Sequence, residues 1–216
     1  MIPAPIKTVH IAELDVGSRF GLDRTIPVGA AILSAQPQGD RVNFVLDSIV
    51  LRPSDPVDTL LHWLDQHLEH PGAAIFGYRL TDAATLLGRL PGATEGSALS
   101  TLAGLGQNDV LNLSARTRAG ALSFQQACAQ AKILCAHTAP NDRFASWVRS
   151  DVHTIEQDAQ IDVIGCFRLI LHRLVAIKAA GRPITATLRT AFAAWLEEAD
   201  HAAAHLHVAD LLSAAG

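Results

Sequence analysis

Three strand-length runs follow one another within the first 47 residues, and no other feature of the chain narrows its fold as much. KTVHIAELD (7–15), TIPVGAAILSA (25–35) and RVNFVLD (41–47) are rich in apolar and β-branched residues, which suit a pleated, buried surface. Pro-Gln-Gly-Asp between the second and third is short and turn-forming, as a hairpin requires. Three consecutive strands joined in this way predict an antiparallel meander. AAIFGY (73–78) is a fourth run, wholly apolar like a strand covered on both faces.

Helical signals fill the rest. Asp55-Pro56 predicts an N-cap and first turn, with Asp58 favourable beside the helix dipole. Val57, Leu60, Leu61, Leu64 and Leu68 then form one apolar stripe that Pro71-Gly72 ends. LTDAATLLGRL (80–90) reads as a second helix capped by Thr81 or Asp82. NDVLNLS (108–114) fits a short edge strand and LSFQQACAQAKIL (122–134) a helix. A long periodic segment runs from Asp151 to about Ala180, closed by Gly181 and Pro183. Two more helical stretches, 185–198 and 199–213, follow. With no internal repeat or low-complexity linker, residues 1–216 are expected to form a single α/β domain with a helical C-terminal half.

The balance of residues excludes several classes. At 49% hydrophobic and 18% charged the chain is globular, and a net charge of −4 excludes a strongly basic nucleic-acid coat protein. An enzyme that handles nucleic acid through a local groove remains open. Cys128, Cys135 and Cys166 are odd in number and follow no CxxC spacing, which fits buried thiols in a reduced, cytoplasmic setting. MIPAPIKTVH lacks the layout of a signal peptide, and no apolar run approaches membrane-spanning length, so no membrane partner is expected. No GxGxxG, Walker loop or GxSxG occurs.

The acids fall at the ends of elements. Glu13 and Asp15 end the first strand, where side chains at i and i+2 share a face and repel unless a cation lies between them. Asp82 sits where a buried strand passes into a helix. Asp158 and Asp162 lie one turn apart in the long late helix. Ile155, Ala159, Asp162 and Cys166 define a mostly apolar stripe there, which points Asp162 at the core, a costly place for a carboxylate without a partner.

The order strand–Glu-x-Asp, then FGYRLTDAATLL, then IEQDAQIDVIGCF resembles the three motifs of the DEDD 3′–5′ exonucleases. It is most similar to the predicted exonucleases related to the proofreading domain of family-B DNA polymerases. The resemblance implies a ribonuclease H-like mixed sheet, an antiparallel meander plus parallel strands, flanked by helices. It also implies a metal-dependent exonuclease acting on single-stranded DNA or RNA ends. Glu13, Asp15, Asp82 and Asp162 would then be both catalytic residues and ligands of two Mg²⁺ or Mn²⁺ ions, which activate water and stabilise the leaving oxygen.

Departures from the family pattern are specific. The first motif is Glu-x-Asp where the family has Asp-x-Glu, an exchange that moves each carboxylate by about 1.5 Å. Asp158 occupies the position of the family's third-motif tyrosine, four residues before Asp162. A second register matches the His-x-x-x-x-Asp form of the motif, with His153 as general base and Asp158 as metal ligand. The motif-two Asn-Gly appears only as Phe76-Gly77-Tyr78. A catalytically degenerate relative that binds nucleic acid or protein is therefore the alternative expectation.

Other candidates read more simply. His201, His205 and His207, with Asp200 or Asp210, have partial zinc-ligand spacing, though a solvated or subunit-facing helix explains them better. A homodimer is compatible with this reading. Arg116, Arg118, Arg143 and Arg149 are candidate phosphate contacts or ordinary surface charges. Tyr78 and Trp147 are candidate stacking rings for which core packing is the simpler role.

Overall fold

The computed structural model describes residues 5–17, 24–39, 41–70, 72–93, 96–117, 120–176 and 182–215. Its centre is a five-stranded mixed sheet. Strands β1 (Ile6–Asp15), β2 (Thr25–Gln38) and β3 (Arg41–Val50) form the expected antiparallel meander, and β4 (Ala74–Tyr78) and β5 (Asp109–Leu113) run parallel to β1. The order is β3-β2-β1-β4-β5, so β1 is the strand at which the sheet changes from antiparallel to parallel. NDVLNLS does supply an edge strand.

Between and after the strands come α1 (Asp58–Leu68), α2 (Leu80–Leu87), α3 (Ser97–Leu102), the small hairpin β6 (Arg116–Thr117) and β7 (Gly120–Ala121), and α4 (Phe124–Ala131). Helices α5 (Pro140–Val148), α6 (His153–Ala176), α7 (Arg182–Glu198) and α8 (Ala202–Ala215) complete the chain. The predicted stop at Gly181 lies outside the described residues. Pro183 lies in the first turn of α7, where its missing N–H costs nothing. Among the described residues no helix is long and apolar enough to cross a membrane.

Alternation along the strands separates two layers of core. Val9 and Ile11 of β1 and Ala30 and Ile32 of β2 pack against Leu60, Leu64 and Leu68 of α1 and Leu80 and Leu87 of α2. Ala12, Leu14, Leu33 and Phe44 face the other way, onto Ile155, Val163 and Phe167 of α6 and Phe192 of α7. Full burial of one such large side chain stabilises by roughly 1.5–3 kcal/mol. The β1–β2 register shifts between Ala12 and Glu13, where Val28 is the extra residue of a bulge in β2.

Two helix starts differ from expectation. Asp55 accepts the Arg52 N–H instead of capping α1, which begins later, at Asp58. Neither Thr81 nor Asp82 caps α2. Its Leu80 N–H is taken by the Asn112 side chain of β5 (2.8 Å), whose amide also donates to Thr81. In α4 the capping box is complete, Ser123 and Gln126 each accepting the other's backbone N–H.

Candidate functional site

A crevice opens because β1 outlasts its parallel neighbour. Pairing with β4 covers only Ile6 to Val9, and among the described residues no strand pairs with β1 on that side from His10 onward. After Tyr78 the chain turns into α2 through Arg79, whose φ is +54°, a left-handed conformation rarely adopted outside glycine. Carboxyl-terminal ends of strands at such a change of sheet direction are where open α/β sheets place ligands. The cavity there measures about 610 Å³, and Glu13, Asp82, Asp162, His10, Arg79 and Arg143 are among its lining.

Asp162 reaches this cavity from α6. It is 1% exposed, as the apolar stripe around it predicts. One carboxylate oxygen accepts the Ala136 N–H at 2.8 Å and the other lies 3.5 Å from His10 Nε2. Burial pushes its carboxyl up to about 7, against the Ala136 bond and the Arg143 charge, which pull it down. Burial, then Arg143, pushes the His10 imidazole down to about 3. At neutral pH the pair is thus a neutral imidazole beside a carboxyl close to half protonation.

The other first- and second-motif acids are placed differently. Glu13 shares the face of Val9 and Ile11, opposite to the His10 and Asp162 side. It is exposed at the cavity mouth yet hemmed in by protein, and this burial raises its carboxyl, with Asp82 adding to the effect and Arg79 opposing it. Asp82, 55% exposed, is held by both Nε and Nη2 of Arg79. Asp15 does not line the cavity; it accepts the Gly17 N–H in a local turn. The structure therefore brings Glu13, Asp82 and Asp162 to one cavity and leaves Asp15 at its margin.

Asp158 is buried one turn before Asp162, but its partners are Thr138 and Arg143, the latter through Nε and Nη2 at 3.1 and 2.9 Å. Its role is to hold the Arg143 guanidinium against the cavity. His153 is exposed at the start of α6 and does not line the cavity. Arg149 is exposed; Arg118 lies outside the described residues, as does the side chain of Arg116. Tyr78 lines the cavity with its hydroxyl donating to Leu122 C=O, and Trp147 donates to Leu51 C=O.

The C-terminal histidines do not come together. His207 is fully buried, with Nε2 against Ile161 C=O and Nδ1 beside Arg168, which pairs with Asp210. His205 is exposed. Among the described residues no group of three or more His, Cys, Asp or Glu side chains is arranged to hold a metal ion.

Sequence reasoning missed His10 and the pairing role of Arg79. A signal for His10 was present: it shares a strand face with Thr8, Ala12 and Leu14, which turns its ring toward a mostly apolar layer where a partner is expected. Comparisons with protein-family models, curated proteins and solved structures return no match to this chain.

Proposed function

We propose that this chain is a relative of the DEDD exonucleases with a ribonuclease H-like fold, which holds the end of a single-stranded DNA or RNA in the cavity without hydrolysing it. A meander followed by two parallel strands is the arrangement the motif resemblance implies, and it supports the reading of the fold. The observation that carries the reading of function is the condition of the carboxylates. Asp82 is neutralised by Arg79, Asp162 is shared between Ala136 and His10, and Asp15 lies outside the cavity. Two divalent cations about 4 Å apart need carboxylates that converge on them, and these pairings count against such convergence. Arg89 in the same cavity offers a cation to a phosphate backbone, beside Arg79 and Arg143, which are paired with Asp82 and Asp158.

A 5′-labelled single-stranded oligonucleotide followed by fluorescence anisotropy and by gel tests this. Binding that weakens with salt, a salt slope lowered by about one in Arg89→Ala, and an intact oligonucleotide in Mg²⁺ or Mn²⁺ are expected. Failure to bind at low salt would end the proposal.

The second reading is the hydrolase itself, favoured by the meeting of Glu13, Asp82 and Asp162 in one cavity. Shortening of the oligonucleotide in Mn²⁺, abolished by Asp162→Asn, would replace the first reading with this one. Shortening that survives both Asp82→Asn and Asp162→Asn would reject the site in either form.

A further inference from the structure

The three cysteines lie together in the fold. Cys128 on α4, Cys135 in the segment that follows, and Cys166 on α6 are buried free thiols in one apolar cluster with Phe124, Ile133 and Ile170. Local geometry pairs the first two. Lys132 ends α4 in a left-handed conformation (φ +54°), and the Ile133 N–H then donates to Cys128 C=O at 2.9 Å. The chain turns back and packs Cys135 in the same cluster as Cys128, near enough for each thiol to shift the other's ionisation.

The two thiols differ in access. Cys128 is fully enclosed, whereas Cys135 borders a surface pocket of about 350 Å³ together with Lys132, His137 and Asp210. The neighbouring Cys128 thiol lowers the Cys135 thiol from its ordinary value, against burial, which raises it. A small oxidant entering that pocket therefore meets Cys135 first, with a second thiol already beside it.

We propose that Cys128 and Cys135 form a redox-modification site that closes to an intramolecular disulfide when a small peroxide enters the pocket beside Cys135. Hydrogen peroxide oxidises the Cys135 thiol to the sulfenic acid and is itself reduced to water. The Cys128 sulfur then attacks the Cys135 sulfur: the S–S bond forms, the S–O bond breaks, and hydroxide leaves with the Cys128 proton as a second water. Cys166 takes no part. The bond ties the end of α4 to the residue preceding Ala136, whose N–H holds Asp162.

The test uses the full native chain treated with hydrogen peroxide, alkylated, and digested with trypsin, which cuts after Arg118, Lys132 and Arg143. Residues 119–132 and 133–143 are expected to appear as one linked species that separates on thiol reduction. Free thiols counted after unfolding are expected to fall from three to one, and Cys166→Ala is expected to leave the linked species unchanged. In Cys128→Ser, a sulfenic-acid probe is expected to label Cys135. Three fully alkylated cysteines after treatment would overturn the proposal. So would a bridge to Cys166, a bridge between two chains, or sulfinic acid on Cys135 in the unsubstituted protein. The peptide map of the unsubstituted chain decides the matter even where a variant does not fold.

Discussion

His10 Nε2 and Asp162 Oδ2 lie 3.5 Å apart across the junction of β1 and α6, and their titrations act on stability in opposite directions. The His10 imidazole is held at about 3 against its usual 6.5, so its contribution is present above pH 6.5 and is lost as pH falls toward 3. The Asp162 carboxyl is held at about 7 against its usual 3.8, so its contribution is largest below pH 3.8 and is lost as pH rises toward 7. Each shift corresponds to on the order of 4–5 kcal/mol, and between about pH 4 and 6.5 the two slopes nearly cancel. Relative to the unsubstituted chain, Asp162→Asn is expected to lose stability steeply on acidification through that range. His10→Asn is expected to lose stability as pH rises through it. Urea unfolding midpoints across the range check both signs.

Arg143 and Asp158 form a largely buried ion pair, with side chains 15% and 10% exposed. Removing one partner strands the other charge, so Arg143→Met is expected to cost roughly 3–5 kcal/mol. The double substitution with Asp158→Leu should recover much of that loss. A double-substitution cycle by chemical denaturation measures it.

The pair Arg79–Asp82 is the contrasting case. Its side chains are 47% and 55% exposed, so Asp82→Asn is expected to change stability by less than about 1 kcal/mol. Thermal unfolding of this variant checks that losses seen in a binding or cleavage assay belong to the site and not to the fold.

Gly165 lets α6 pass close to the segment that carries Ala136. A Cβ there would meet Leu134 carbonyl oxygen at 2.7 Å, and a backbone atom cannot swing away. Gly165→Ala is expected to destabilise by roughly 1–3 kcal/mol. It should also raise hydrogen exchange at the Ala136 amide, because the shift falls on the segment that holds Asp162.

The meander was legible because each strand is a strand-length run of apolar and β-branched residues and the gap between β2 and β3 holds turn residues; local chemistry sufficed. Burial of Asp162 was legible for the same reason, since its helix stripe is otherwise apolar. What could not be read rests on partners distant in sequence. Asn112 caps α2 from another strand, His10 meets a residue on α6, and a lone Asp82 in sequence says nothing of the Arg79 that binds it. Helix α5 went unread because Trp147 and Phe144 give it a short apolar face that only the folded neighbours complete.

The position of α6 also bears on how the chain emerges during synthesis. β1, β2 and β3 are complete by Val50, but the apolar face that carries Ala12, Leu14, Leu33 and Phe44 is covered by a helix that begins at His153. At about 5–20 residues per second, that face waits roughly 5–20 s for its cover. Until α6 is made, the nascent meander thus has one apolar face without its native cover.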